Sequence, residues 1–421
     1  MKKVIAILLV VSLSFSFAFI TQANTEGILF VDDLFECDEF MSEVEAHLFA
    51  EFGEERIRNE RTALQQANRI MGLFPTNRLG ERIYPDFIGG TYLNDYGNLV
   101  IQIVNNENSR NSGYDVWSNA VNLDDIIIEY VEFSARELTE TMKVISKFIM
   151  DNPDSDVSKN FAFGGIGFKN RVEIALIIYN EEEIARFREV ISNSLAIVFE
   201  EAPADFSPER WPGSGRGAHL DNEISENADS DILPMNATNL NPGSSIITGS
   251  DRYSVGFRAT LNGARGFITA GHFLRVGQVF PNVGTVTRLQ DRGAVDAAFI
   301  TTNSNVNLTN NLPSPYTTLS VSPIGNLQLN QTVVKIGAET GITSGQILQF
   351  DFMMGNLTSQ VRTNLRADGG DSGGVVFTSF PPFNLVGIVT GISGWPGSNT
   401  MFFTRASNIF ASPTFPALQR F

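Results

Sequence analysis

The chain has 421 residues, 43 % of them hydrophobic, with 30 Lys and Arg against 47 Asp and Glu, a balance that excludes a wholly disordered chain and a polytopic membrane protein. One cysteine excludes a disulfide framework and a cysteine-rich zinc site, and the three histidines, His47, His219 and His272, lie too far apart for a short-spaced metal motif. The net charge of −17 argues against a nucleic-acid binder, but it is unevenly spread: residues 236–421 carry 11 basic and 7 acidic side chains, residues 1–235 carry 19 and 40.

Met1-Lys2-Lys3 is a basic start, Val4 to Ile20 is an apolar run, and Ala23 offers a small residue for cleavage. Residues 1–23 therefore read as an export signal, with acidic residues after it instead of a basic stop-transfer cluster. The acidic stretch 24–205 reads as α+β. Phe40, Val44, His47, Leu48 and Phe52 form one helical stripe over 39–52, which makes His47 a packed histidine and not a ligand. A second helix is expected over 58–71, and residues 87–104 read as a hairpin around Asn94–Asn98. A strand over 125–131 leads to Ser134 and Glu137, a capping box that opens a helix through Ile149. The same order repeats as a strand over 171–179, a cap at Asn180 with Glu183, a helix to Ile191 and a strand over 196–199. These elements predict one compact α+β domain with helices on one face of its sheet. No catalytic constellation stands out in it. Residues 206–239, rich in Gly, Ser, Asp and Asn and including His219, read as an exposed linker with a processing site, the mature chain starting between Asn236 and Ser245.

From residue 240 onward the chain reads as all-β. Short runs at 254–259, 266–269, 284–289, 297–300, 332–337, 345–350, 360–363, 375–378, 386–390 and 401–404 are separated by turn residues. The Pro-containing segment 312–316 divides them into expected barrels at about 245–312 and 317–421.

Three strings in this region carry chemistry. Gly370-Asp371-Ser372-Gly373-Gly374 holds a hydroxyl in a tight turn, where backbone N–H groups can face a developing oxyanion. Ala270-Gly271-His272 ends a β run with the only histidine of the region. Asp296 lies in the apolar run Val295 to Ile300, where an acid is costly to bury unless hydrogen-bonded, and an imidazole N–H is a suitable partner. The chain order is His, Asp, Ser, each at a different strand end.

The strings "TAGH", "VDAAF" and "GDSGG" resemble the active-site signatures of the chymotrypsin-like serine peptidases, in that family's order. Segments 333–350, 361–377 and 385–394 resemble the bacterial secreted branch, of streptogrisin and alpha-lytic type, and "FIGGTYLNDYGNLVIQIVN" resembles the strand–turn–strand of that branch's pro-region. The resemblance implies an all-β double six-stranded barrel preceded by an α+β pro-domain. It implies His272 as general base, Asp296 as its orienting acid and Ser372 as nucleophile, with the N–H groups of Gly370 and Ser372 as oxyanion hole. It further implies that Thr390, Gly391 and Ile392 form one wall of the substrate pocket and Arg366, Ala367 and Asp368 part of the opposite wall. Phe273 and Arg366 stand where that family usually has cysteines, and Ile392 replaces a common glycine, which favours small or medium apolar residues over a deep aromatic pocket.

The expected product is a secreted bacterial serine endopeptidase acting on protein or peptide substrates, without cofactor, metal, nucleic acid or stable membrane association. Its own pro-region, 24–235, would dock on the peptidase domain to assist folding or block the cleft. The competing expectation is a catalytically silent protein-binding module on the same fold.

Overall fold

The computed structural model describes residues 38–76, 82–105, 126–204, 206, 238–320, 327–392 and 400–420; the export signal and nearly all of the linker, with His219, lie outside them. The chain divides into two compact units, residues 1–47 and 48–421. In the first unit only the start of helix α1 (Asp38–Phe52) is described. Val44 in it is buried, whereas His47, expected on the packed stripe, is exposed. Val44 and Leu48, four residues apart, set the buried line, and residue 47 falls to one side of it. Among the described residues no helix is long and apolar enough to cross a membrane.

Residues 51–202 form two lobes where one compact domain was expected. In the first, helix α2 (Glu54–Gly72) covers a three-stranded sheet of β1 (Ile88–Leu93), β2 (Leu99–Val104) and β3 (Ile127–Val131), ordered β1-β2-β3. Its core joins Ala63, Ala67 and Ile70 of the helix to Ile88, Leu93, Leu99 and Ile101 of the strands. The second lobe opens with helix α3 (Ala135–Asp151), whose capping box is complete: Ser134 Oγ accepts from the Glu137 N–H, and the Glu137 carboxylate accepts from the Ser134 N–H. Leu138, Met142, Ile145 and Ile149 then fall on one buried face. Next come the short α4 (Asp156–Asn160), β4 (Phe161–Ile166), β5 (Val172–Leu176), α5 (Glu181–Val190) and β6 (Ile197–Glu201). The strand expected over 171–179 ends at Leu176, because the Ile177 and Ile178 amides turn to the backbone and side-chain oxygens of Asn160.

The second half is β-rich throughout. Strands β7 (Thr238–Leu240), β8 (Ser245–Thr248), β9 (Asp251–Ser254), β10 (Phe257–Leu261), β11 (Ala264–Thr269), β12 (Val279–Phe280), β13 (Gly284–Arg292), β14 (Val295–Thr302) and β15 (Val306–Leu308) precede residue 312. After it come β16 (Thr332–Gly337), β17 (Gly341–Met354), β18 (Leu357–Thr363), β19 (Val375–Thr378), β20 (Leu385–Ile392), β21 (Met401–Arg405), helix α6 (Ala406–Ala411) and β22 (Leu418–Arg420). A six-stranded antiparallel sheet runs β12-β13-β14-β11-β10-β22. Six further strands pair in a closed antiparallel ring, β16-β19-β20-β21-β18-β17, with β17 returning to β16. Two expectations change. The run at 254–259 is broken at Val255 and Gly256, whose amides serve Ser244 and Ile268. The last strand pairs with β10, so the chain end returns to the first sheet instead of completing the second ring.

The two halves share one sheet. β17 pairs antiparallel with β4, Phe350 opposite Ile166 and Met354 opposite Phe163, so β4-β5-β6 extends the ring's sheet to nine strands. Met353 inserts into the core of the second lobe, and Phe163 packs with Phe352, Met354 and Phe402. Helix α2 grips the other side of the ring. Glu60, fully buried, accepts from the Thr332 N–H (2.6 Å) and hydroxyl (2.8 Å), and Arg56 donates to Asn330 O (2.9 Å).

Candidate active site

Strands β11 and β14 run antiparallel with Thr269 opposite Ala298, which brings the residues just after β11 alongside the start of β14. Asp296, fully buried, sits there. Its Oδ1 accepts from the Gly271 N–H (2.9 Å) and the His272 N–H (2.8 Å), and its Oδ2 lies 2.6 Å from His272 Nδ1. An ionised carboxylate only accepts, so Nδ1 carries the proton and Nε2 of the neutral ring is left as an acceptor. That Nε2 is 3.0 Å from Ser372 Oγ. Three hydrogen bonds compensate the desolvation of the acid. Asp291, the acid opposite Asp296 on β13, is partly exposed, with Arg292 Nε at 3.7 Å.

Ser372 lies in the segment between β18 and β19. Gly370 (φ 106°) and Gly373 (φ 84°) take backbone conformations that disfavour a side chain. A Cβ on Gly373 would also stand 2.1 Å from Thr269 Oγ1 and 2.6 Å from Ala270 N, so glycine is what lets the serine loop approach the histidine strand. Ser254 braces the loop from the first sheet: its N–H donates to Ser372 O and its hydroxyl to Gly370 O, both at 2.8 Å. Among the described residues none accepts a hydrogen bond from the Gly370 or Ser372 N–H.

Sequence reasoning missed what holds Asp371. This carboxylate is fully buried and accepts from Lys335 Nζ (2.9 Å), from the Glu339 and Thr340 N–H groups (2.9 and 3.0 Å) and from the Asp368 N–H (3.0 Å). Burial would raise its pKa, but the hydrogen bonds from Thr340 and Lys335 and the Lys335 charge together hold it below the ordinary carboxylate value. Burial pushes Lys335 down despite its ion pair. The signal was available: Lys335 is the only lysine after residue 235 and stands in the apolar run of β16, the same argument that singled out Asp296.

The expected pocket residues lie on two segments. Gly391 and Ile392 pair with Phe402 and Met401 of β21. On the opposite side β19 pairs only as far as Ile388, with Val389 held by Gly373 and Gly374, so the main chain of 390–392 has no strand partner there among the described residues. Ile392 and Ala367 both pack against the core of the closed ring. Arg366 O accepts from the Thr343 hydroxyl, and the Asp368 carboxylate accepts from the Gly369 N–H, which makes Asp368 a local turn cap. The Thr390 side chain is fully buried, and its hydroxyl faces Gln360 and Thr404.

Comparison with known proteins gives a consistent result. Streptogrisin-A of Streptomyces griseus is 29 % identical over 168 residues, 36 % of this chain and 52 % of that protein. Serine protease 1 of Streptomyces fradiae is 30 % identical over 172 residues, 37 % of this chain and 46 % of that protein. The chain thus spans about half the length of these two relatives. Glutamyl endopeptidase 2 of Streptomyces griseus is 27 % identical over 170 residues, 37 % of this chain and 88 % of that protein. Over 36–37 % of its length the chain is therefore similar to bacterial proteases. Residues 51–131 match the family described as a Pro-like N-terminal domain and residues 136–202 the Pro-like C-terminal domain. The boundary between these matches falls between β3 and α3, where the two lobes separate.

Proposed function

We propose that the protein is an exported serine endopeptidase made as a precursor, its pro-region being the two lobes over 51–202. The observation that carries this reading is the line Asp296 Oδ2, His272 Nδ1 and Nε2, Ser372 Oγ, at 2.6 and 3.0 Å. Ser372 Oγ attacks the scissile carbonyl carbon while His272 Nε2 takes its proton, and Asp296 holds the ring in the required tautomer and stabilises its charge. The oxyanion is received by the Gly370 and Ser372 N–H groups. Collapse of the tetrahedral adduct passes the proton from His272 to the leaving amine, and water then hydrolyses the acyl-enzyme by the same route. Peptide substrates add as a strand on the unpaired main chain of 390–392, opposite Arg366, Ala367 and Asp368. The packing of Ile392 supports a preference for small or medium apolar residues. The six-stranded sheet β12-β13-β14-β11-β10-β22 is read as the first barrel of the pair, and the relatives' proteolytic names support the same class of substrate. Ser372→Ala is expected to abolish hydrolysis and leave the precursor near full length. Processing of that variant at the wild-type rate in a host lacking other exported proteases would remove self-cleavage from the account, and retained hydrolysis would remove the nucleophile.

A further inference from the structure

Gln360, on β18, is fully buried where the closed ring meets the first sheet. Its Nε2 donates to Thr358 O (2.9 Å) and Ala294 O (3.4 Å). Both partners are carbonyls and only accept, which fixes the amide orientation and leaves Oε1 facing two hydroxyls. Thr404 Oγ1 (2.9 Å) and Thr390 Oγ1 (3.2 Å) donate to that oxygen. The two threonine oxygens are 2.9 Å apart, and Thr404 Oγ1 also accepts the backbone N–H of Asp296 (3.1 Å). Gln360, Thr390, Thr404 and Asp296 are all fully buried.

This cluster joins the two sides of the site. One arm reaches Asp296 and Ala294, at the start of β14 in the first sheet. The other reaches Thr390, whose neighbour Val389 accepts the Gly373 N–H, directly after Ser372. His272 and Asp296 come from the first sheet and Ser372 from the ring side, so the His272–Ser372 distance depends on how the two are registered. We propose that Gln360 is a positioning residue for hydrolysis: through Thr404 and Thr390 it fixes the acid–histidine pair relative to the serine loop. The inference rests on the triad reading above. A buried apolar residue would fill the same space but would leave Ala294 O only the Asn408 side-chain amide as donor (3.3 Å) and free the two hydroxyls to turn elsewhere. Displacements of the order of 1 Å in such a site cost up to about a hundredfold in rate.

The test uses the full chain carrying Gln360→Met, Thr404→Val, both together, or Thr404→Ser, assayed on a nitrophenyl ester of an N-acyl amino acid. Gln360→Met and Thr404→Val are each expected to lower kcat by about ten- to a hundredfold with KM within about twofold. The double variant should be no slower than the slower single one, because both break one unit. Thr404→Ser, which keeps the hydroxyl, should recover most of the loss. In a Ser372→Ala background, the NMR signal of the His272 Nδ1–H bonded to Asp296 should weaken with Gln360→Met. That last measurement needs no hydrolysis, so it separates failure of this inference from failure of the triad reading. Unchanged kcat in folded Gln360→Met, additive losses in the double variant, or an unaltered Nδ1–H signal would overturn the proposal. If Gln360→Met does not fold, the contrast between Thr404→Val and Thr404→Ser decides in the same way.

Discussion

Asp296 carries the most demanding chemistry for a single side chain, an ionised group with no exposure to solvent, held by two backbone N–H groups and one imidazole. Asp296→Asn presents an amide that favours the wrong histidine tautomer, so kcat is expected to fall on the order of 10⁴-fold while the fold is retained. Asp291→Asn, at the partly exposed acid across the β13–β14 pair, should stay near wild type. A larger loss in kcat for Asp291→Asn than for Asp296→Asn, at equal thermal stability, would reverse the assignment. The triad candidates could be read from the sequence because each stands out against its surroundings: an acid among valines and alanines, one histidine in its region, a serine among glycines. The burial of the Thr390 side chain was not legible, because nothing in a one-dimensional string tells whether a polar side chain on a strand faces a pocket or a buried glutamine. Gln360 went unnoticed for the same reason.

Among the elements, those with local signals were predicted well and those defined by distant partners were not. The Ser134–Glu137 capping box and the Asn180 cap announce their helices, and the Asn94–Asn98 turn announces the β1–β2 hairpin. The pairing of β4 with β17 joins residues far apart in sequence and has no local mark. Helix α2 shows the same limit: a helix over 58–71 was legible, but not that Glu60 would be buried against Thr332. Burial raises the Glu60 pKa from its ordinary 4.5, with the Arg56 charge and the Thr332 hydrogen bonds offsetting part of the rise. Between 4.5 and the raised value the folded precursor binds more protons than the unfolded chain, so the Glu60 contribution to stability is lost as pH rises through that window. The Glu60→Gln substitution would keep the acceptor without the titration. Melting of Ser372→Ala precursors with and without Glu60→Gln, from about pH 4 to about pH 8, should show the glutamate form losing stability relative to the glutamine form as pH rises. Parallel pH profiles would contradict this.

An acidic half and a weakly basic one are joined by strand pairing, shared packing and hydrogen bonds. Nine strands run across both halves, and Met353 is shared between the β17 strand and the core of the second lobe. A sheet closed largely by non-local pairings is slow to assemble, and β4 covers an edge of β17 that would otherwise stand open. Residues 240–421 alone are therefore expected to refold poorly after dilution from denaturant. Residues 24–235 added as a separate chain should raise the rate or yield of recovered esterase activity and, in excess, reduce that activity if they cap the cleft. Equal rates and yields in both arms would leave the acidic half without a folding role. The central claim concerns Ser372 and is met most directly by treating the protein with a fluorophosphonate and mapping the adduct by mass spectrometry. The account predicts one covalent adduct, on Ser372, absent in Ser372→Ala and strongly reduced in His272→Ala; an unlabelled protein, or an adduct on another residue that persists in Ser372→Ala, would contradict it.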